Sequence, residues 1–364
     1  MNQPTVSVVM VTCNVERFLV ESIESILGQT FRDLEFIIVD FGSTDNSKSI
    51  ISRYAAKDNR IKFHEISNCA LPVARNAGCG FAEGRYIAIM DADDVSLPNR
   101  LAWEIDFMET HPEVGLLGGA TEWVDATGRS LGIHDFPSED HEIKSALVTR
   151  CPFWHPTVLM RREAFVLAGG YRTAFVFAQD YDLELRIAEH SQCANLKEVL
   201  LKYRIHPSQV TFRKQKQQTL CKLAAQVSAT SRRQHETDPL DGVREITPTL
   251  LADLGVSEVA QQNALAADCR NWIRSMYAAR EYSVALEAAA DLLQSGWAGV
   301  EQWQIADLHL EVARLCWKQR RFTRGLIAVV RAVLTRPVVV GRPLKPLLCR
   351  LGLLRNRDLN RLIS

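Results

Sequence analysis

The chain has 364 residues, 43 Lys+Arg balanced by 43 Asp+Glu, and 47% apolar residues. That composition excludes disorder over most of the length and suits two domains rather than one. The charge balance is uneven: residues 312–364 hold 13 cations and one acid, Asp358, so that segment carries +12 and residues 1–311 carry −12. An acidic body with a basic tail points the tail at an anionic partner, a membrane surface or a nucleic acid.

In chain order, Val6–Val11 is a short β-rich apolar run matching a buried strand, and residues 15–27 place Phe18, Leu19, Ile23, Ile26 and Leu27 at helical spacing. Leu34–Val39 reads as the next strand. Residues 47–54 read as a helix capped by Ser43, Thr44 or Asp45. Strands at 61–64 and 86–90 bracket a helix over 72–82. Strands alternating with helices imply parallel pairing and a doubly wound sheet, whose ligands bind at the carboxyl ends of the strands. Those ends read Thr12-Cys13-Asn14, Asp40-Phe41-Gly42-Ser43 and Asp91-Ala92-Asp93-Asp94. From about residue 213 the pattern is helical only, with a linker expected over 234–247. Residues 277–286 and 317–326 repeat one another forty residues apart, as in a tetratricopeptide-like hairpin or a small bundle.

Nine cysteines include no Cys-x-x-Cys pair, which argues against a zinc ribbon or a disulfide framework and for reduced, buried thiols in a cytosolic protein. The first residues lack the charged n-region of a signal peptide, and Arg331 and Arg336 interrupt the longest apolar stretch. Neither export nor a membrane span is expected.

Asp91-Ala92-Asp93-Asp94 follows an apolar strand. Clustered carboxylates repel one another, and a hard divalent cation relieves the repulsion and can hold a diphosphate; a solvated turn capping the next helix is the alternative. The surrounding segments decide between these readings. Val6-to-Asn14, Ser22-to-Phe31, Glu35-to-Asp45, Ala74-Arg-Asn-Ala-Gly78, Ala82-to-Asp94, Trp154-His-Pro-Thr157, Gly169-Gly-Tyr171, Gln179-Asp-Tyr-Asp-Leu183 and Tyr203-Arg-Ile-His206 run collinear with the motifs of one family. Over residues 4–215 the chain resembles a family 2 glycosyltransferase.

The resemblance implies an α/β GT-A nucleotide-diphospho-sugar transferase fold, with a mostly parallel Rossmann-like sheet and an all-helical C-terminal domain. The expected boundaries are 1–215 for catalysis, 216–247 for a helix and linker, and 248–364 for the helical domain with its basic tail. Carried over position by position, Asp93 matches the ligand of Mg2+ or Mn2+ on the donor diphosphate. Asp91 matches a position near the donor ribose, and Thr12 and Asp40 line the nucleoside pocket. Asn14, Arg75 and Ala92 complete the nucleotide-sugar site, and Asp180 matches the general base of inverting members. Inversion needs one in-line displacement, so one carboxylate base and one metal suffice; a helix N-terminal acid is the plainer reading of Asp180.

The sequence departs from the family where Cys13 replaces Tyr, Phe41 replaces a second Asp, and Gln179 replaces Glu before the base. His155 and Trp154 fall on the acceptor side, and His206 is a further candidate to cover the diphosphate. The expected function is transfer of a sugar, from a UDP-sugar, to a glycan or lipid-linked acceptor hydroxyl in cell-surface polysaccharide or glycolipid synthesis. The expected location is the cytoplasm, at the inner face of the membrane if the mixed apolar and basic stretch 331–355 lies on anionic lipid; that stretch packing on the acidic body is the alternative. Nucleic acid is disfavoured, because the cations alternate with Leu and Val rather than stacking aromatics. A non-catalytic scaffold working through its helices is the rival reading. A nucleotidyltransferase is disfavoured because no Gly-rich loop follows the first strand.

Overall fold

The computed structural model describes residues 3–67, 69–207, 212–294 and 300–336. It divides into two compact units. One comprises the residues up to Arg204 together with Leu220–Leu254, and the other Ile205–Thr219 together with the residues from Gly255. The expected boundary at 215 thus falls inside the helix Phe212–Arg233, and much of the expected linker groups with the sheet.

Nine strands among the described residues form one sheet: β1 (Val6–Thr12), β2 (Leu34–Asp40), β3 (Ile61–Glu65), β4 (Tyr86–Asp91), β5 (Val95–Ser96), β6 (Val114–Asp125), β7 (Ser130–His134), β8 (Leu159–Arg161) and β9 (Gln192–Ile205). Their order is β3-β2-β1-β4-β8-β6-β9-β5, with β7 beside β6. The parallel part is β3-β2-β1-β4, and the strands beyond it add antiparallel pairs, β4 with β8, β8 with β6 and β5 with β9. β1 and β2 are buried along nearly their whole length, as their unbroken Val, Ile and Met runs require of strands covered on both faces. The helices Glu16–Leu27, Ser47–Ala55 and Leu71–Gly80 cross between the parallel strands. Leu19, Ile23 and Ile26 of the first join Val8, Met10, Phe36 and Ile38 in the core.

Register does more than hold the sheet. It sets Thr12 beside Asp40 and Val11 beside Asp91, so three separate loops leave the sheet at one edge. At the opposite end Ser7 Oγ donates to Glu35 (2.6 Å) and accepts the Gly84 amide (2.8 Å), fixing the entry of β4 against β1 and β2. A Cβ on Gly84 would lie 2.6 Å from the Ser7 nitrogen, a backbone atom that cannot give way, so only glycine fits there.

The helix Arg100–Thr110 carries a fully buried ion pair. Arg100 donates from Nε to Glu104 (2.9 Å) and from Nη2 to the Ile89 carbonyl (3.0 Å), and burial pushes the Glu104 carboxyl up to about 7. In the other unit, helices Glu258–Ala278 and Tyr282–Gln294 meet at a turn where Arg280 has φ 67°, and helices Gln302–Lys318 and Phe322–Thr335 meet where Arg320 has φ 59°. Both turns close with the same pair of bonds. Arg280 and Glu281 amides reach the Tyr277 and Met276 carbonyls, and Arg320 and Arg321 amides reach those of Trp317 and Cys316, the left-handed helix ending usually made by glycine. The repeated sequence thus corresponds to a repeated turn. No helix among the described residues is long and apolar enough to cross a membrane, and residues 337–364, which hold most of the basic stretch, lie outside them.

Removing one partner of a buried ion pair leaves the other uncompensated. Arg100→Met should therefore lower the unfolding free energy by about 3 kcal/mol in urea denaturation, and adding Glu104→Leu should recover most of that loss.

Candidate active site

The carboxyl edge of the parallel strands is built from three loops, of which those after β1 and β2 brace one another. Thr12 Oγ1 donates to Asp40 Oδ2 (3.1 Å), while Asp40 Oδ1 accepts the Gly42 and Ser43 amides (3.1 and 2.9 Å) and so folds the loop after β2 back on itself. Gly42 there has φ +121°, a conformation that side chains disfavour. Asn14, itself at φ 55°, accepts the Thr44 and Asp45 amides (2.8 and 3.3 Å) on its side-chain oxygen, and its own amide donates to Ser43 Oγ (3.0 Å). Thr12, Asp40 and Asn14 therefore lie together, and their bonds join the loops after β1 and β2 into one braced pair. The exposed Cys13 and the half-buried Phe41 flank it.

The Asp91-to-Asp94 turn separates its carboxylates into three environments. Asp91 closes β4 and accepts Arg75 Nη2 at 3.0 Å. Burial and the fields of Asp93 and Asp180 raise its pKa to about 6 against the pull of Arg75. Asp94 turns fully inward. Its Oδ1 accepts the Arg204 amide of β9 (2.8 Å), its Oδ2 has no hydrogen-bond partner, and burial with its two acidic neighbours drives its pKa well above the usual carboxylate range. Asp93 is half-buried, and its main-chain carbonyl accepts Arg204 Nε at 2.8 Å. Ala92 is buried, and its carbonyl accepts Ser22 Oγ (2.9 Å), as does that of Asp94 (2.6 Å). The turn is thus clamped on both sides, and of the three acids Asp94 is committed inward.

Arg75, on the helix Leu71–Gly80, is buried with its guanidinium 5.9 Å from the Tyr171 ring centroid. Its Nε and Nη1 have no hydrogen-bond partner. Burial works against its charge, and Asp91, Tyr171 and Asp180 hold it in place.

Asp180 sits in the first turn of the helix Gln179–Ala188, which the chain enters through Ala178 at φ 51°. One oxygen accepts the Tyr181 amide (2.9 Å), so the acid serves the helix start. The same carboxylate acts on Asp91, Arg75, Tyr203 and Glu184, placing it among the strand-end acids. Gln179 is buried beside it, its Oε1 without a partner.

Below Asp180 lies a polar group that sequence reasoning missed in part. Glu184, one helical turn on, accepts the Cys151 thiol (2.8 Å) and faces His155 Nδ1 at 3.5 Å, and His155 Nε2 meets the Tyr171 hydroxyl at 3.1 Å. Burial raises Glu184 well above its ordinary range and lowers His155 well below its own. The i, i+4 spacing of Asp180 and Glu184 was the available signal. Trp154 belongs to an aromatic cluster, 5.4 Å from Tyr203, 5.2 Å from Trp123 and 5.1 Å from Phe136. His206 follows β9 and is buried.

No three His, Cys, Asp or Glu side chains among the described residues converge on a metal position. One or two carboxylates suffice for a magnesium-type ion whose other ligands are substrate phosphates and water, and the half-buried Asp93 is a carboxylate that could serve in that way.

Comparison with known proteins places the chain in a family. Residues 7–166 match Glycosyl transferase family 2. An uncharacterised glycosyltransferase of Methanocaldococcus jannaschii is 37% identical over 212 residues, 56% of this chain and 72% of that one. The O-antigen biosynthesis glycosyltransferase WbnJ of Escherichia coli is 31% identical over 207 residues, covering 55% and 80% of the two chains. The S. aureus TarS 1–349 structure in complex with UDP-GlcNAc superposes with a TM-score of 0.50 at 16% identity, covering 89% of this chain and 90% of that one. The chain belongs to glycosyltransferase family 2, with the GT-A fold.

The described cysteines form no disulfide, and they differ sharply in exposure. Burial pushes the Cys79 and Cys193 thiols up to about 12, whereas Cys13 is exposed in the loop after β1. Iodoacetamide should modify Cys13 in the folded protein and leave Cys79 and Cys193 unmodified until denaturant is added, as peptide mass mapping will show.

Proposed function

We propose that this chain is an inverting, metal-dependent glycosyltransferase that moves a sugar from a nucleotide-sugar to the hydroxyl of a glycan or lipid-linked acceptor. The observation that carries this reading is the 3.0 Å pair of Arg75 with Asp91 at the end of β4, with Asp93 two residues on and the Asp180 carboxylate acting on both members of the pair. A candidate base, a buried cation and two carboxylates suited to a divalent ion share one edge of the sheet. The catalytic domain in this reading is the sheet unit, residues 220–254 included.

The nucleoside lies against the wall made by Thr12, Asn14 and Asp40, with Phe41 offering a ring face. A UDP-sugar is the donor we assign, held without the second carboxylate that Phe41 replaces. Asp93, with Asp91, would hold Mg2+ or Mn2+, which supplies positive charge to the diphosphate as it leaves. Arg75 orients Asp91 by its 3.0 Å bond, and its two unsatisfied nitrogens add donors on the same side. Asp180 accepts the proton of the acceptor hydroxyl as its oxygen attacks the anomeric carbon, and the bond to the diphosphate breaks in the same displacement. One carboxylate is enough because no covalent glycosyl-enzyme forms. WbnJ is named for O-antigen biosynthesis, and a polysaccharide acceptor is the corresponding assignment here.

Asp180→Asn removes the base and keeps the shape. It should lower kcat by about a hundredfold to ten-thousandfold in an assay of sugar-nucleotide consumption, with nucleotide affinity nearly unchanged. A variant of wild-type activity would exclude Asp180 as the base.

A further inference from the structure

The helix Phe322–Thr335 buries one face and leaves a second apolar face uncovered. Gly325, Ala328, Val329 and Ala332 form the buried side, and Ala332 packs on Ala306 of the helix Gln302–Lys318. Phe322, Leu326, Val330 and Leu334 follow one another at i, i+4 spacing, so they form a continuous strip on the surface. Phe322 is 63% exposed, Leu326 62% and Leu334 78%, and Ile327 widens the strip by half of its own surface. A scattered surface leucine needs no explanation, but a continuous row of large apolar side chains along three turns does.

The charges around the strip are of one sign. From residue 312 to 336 there are seven cations and no acid. Lys318, Arg320, Arg321, Arg324 and Arg331 are exposed at or beside this helix. A second copy of the same face would bring like charges together. Residues 337–364 carry six cations against one acid, so their charge also matches that of the face rather than complementing it. The complement is an anionic surface. Its apolar part must accept aliphatic side chains, which a membrane interface does and a nucleic-acid backbone does not.

We propose that the helix Phe322–Thr335 lies on an anionic lipid surface, with Phe322, Leu326, Val330 and Leu334 entering the interface and the flanking arginines meeting the headgroups. The proposal does not depend on the transfer chemistry, and binding alone tests it. The full chain should co-sediment with phosphatidylcholine vesicles containing a third phosphatidylglycerol, and much less with phosphatidylcholine alone or in high salt. Arg324→Gln with Arg331→Gln should weaken the partition coefficient about thirtyfold, at about fivefold per cation. Leu326→Gln with Leu334→Gln should weaken it at least as much as the loss of one buried leucine, about tenfold. These side chains are exposed, so the thermal midpoint should stay where it is. In the unaltered chain, hydrogen exchange of the helix amides should slow when anionic vesicles are added. The proposal is overturned if anionic vesicles are not bound, if binding survives the leucine pair, or if that pair instead dissolves a dimer seen in sedimentation velocity.

Discussion

The structure turns on the cost of bringing like charges together. At the carboxyl edge of the sheet Asp91 feels Asp93 and Asp180 while Asp94 feels Asp91 and Asp93, and burial strengthens the repulsion. A protein interior tolerates such a cluster only when cations and hydrogen-bond donors are fixed against it. Arg75 and Arg204 do this. Arg75 bonds the Asp91 carboxylate, while the Arg204 backbone binds Asp94 and its side chain binds the Asp93 carbonyl. Repulsion that remains after those contacts favours a bound cation, which is the physical basis for the metal we propose at this edge.

What keeps the acids in place is built from ordinary parts. Parallel register aligns Thr12, Asp40 and Asp91 at one end of β1, β2 and β4, and the Ser7–Glu35–Gly84 contact fixes the same three strands at the other end. Asp40 and Asn14 accept main-chain amides that would otherwise be orphaned in tight loops. Asp180 arrives from the antiparallel side of the sheet, on a helix that begins after the left-handed Ala178. The candidate site thus draws on a parallel half that carries Thr12, Asn14, Asp40 and Asp91 and a second half that brings in Asp180.

Much of this was legible in the sequence, for reasons that differ by element. The strands at 6–11, 34–39 and 86–90 could be read because strands covered on both faces are apolar along most of their length, and each ends where polar residues begin. The motif segments placed Asp180 with Asp91 and Asp93 although they are distant in the chain. Local pattern could not show the antiparallel pairs of β8, β6 and β9, which depend on long-range partners. Nor could it show that Asp94 turns inward while Asp93 does not, since both follow the same strand and the difference lies in the Arg204 amide 110 residues away. Glu184, Cys151 and His155 escaped notice as a group because only folding brings 151, 155 and 184 together. The helix ends at Arg280 and Arg320 carry no glycine, so their matching turns were visible only as a faint repeat.

The most direct test of the central claim is calorimetric titration of UDP and GDP, with and without Mn2+, into the wild-type protein and Asp93→Asn. The account predicts binding of a nucleoside diphosphate that strengthens when Mn2+ is present and loses that strengthening in Asp93→Asn. Nucleotide binding that is identical with and without the ion, or unaltered by the substitution, would contradict it.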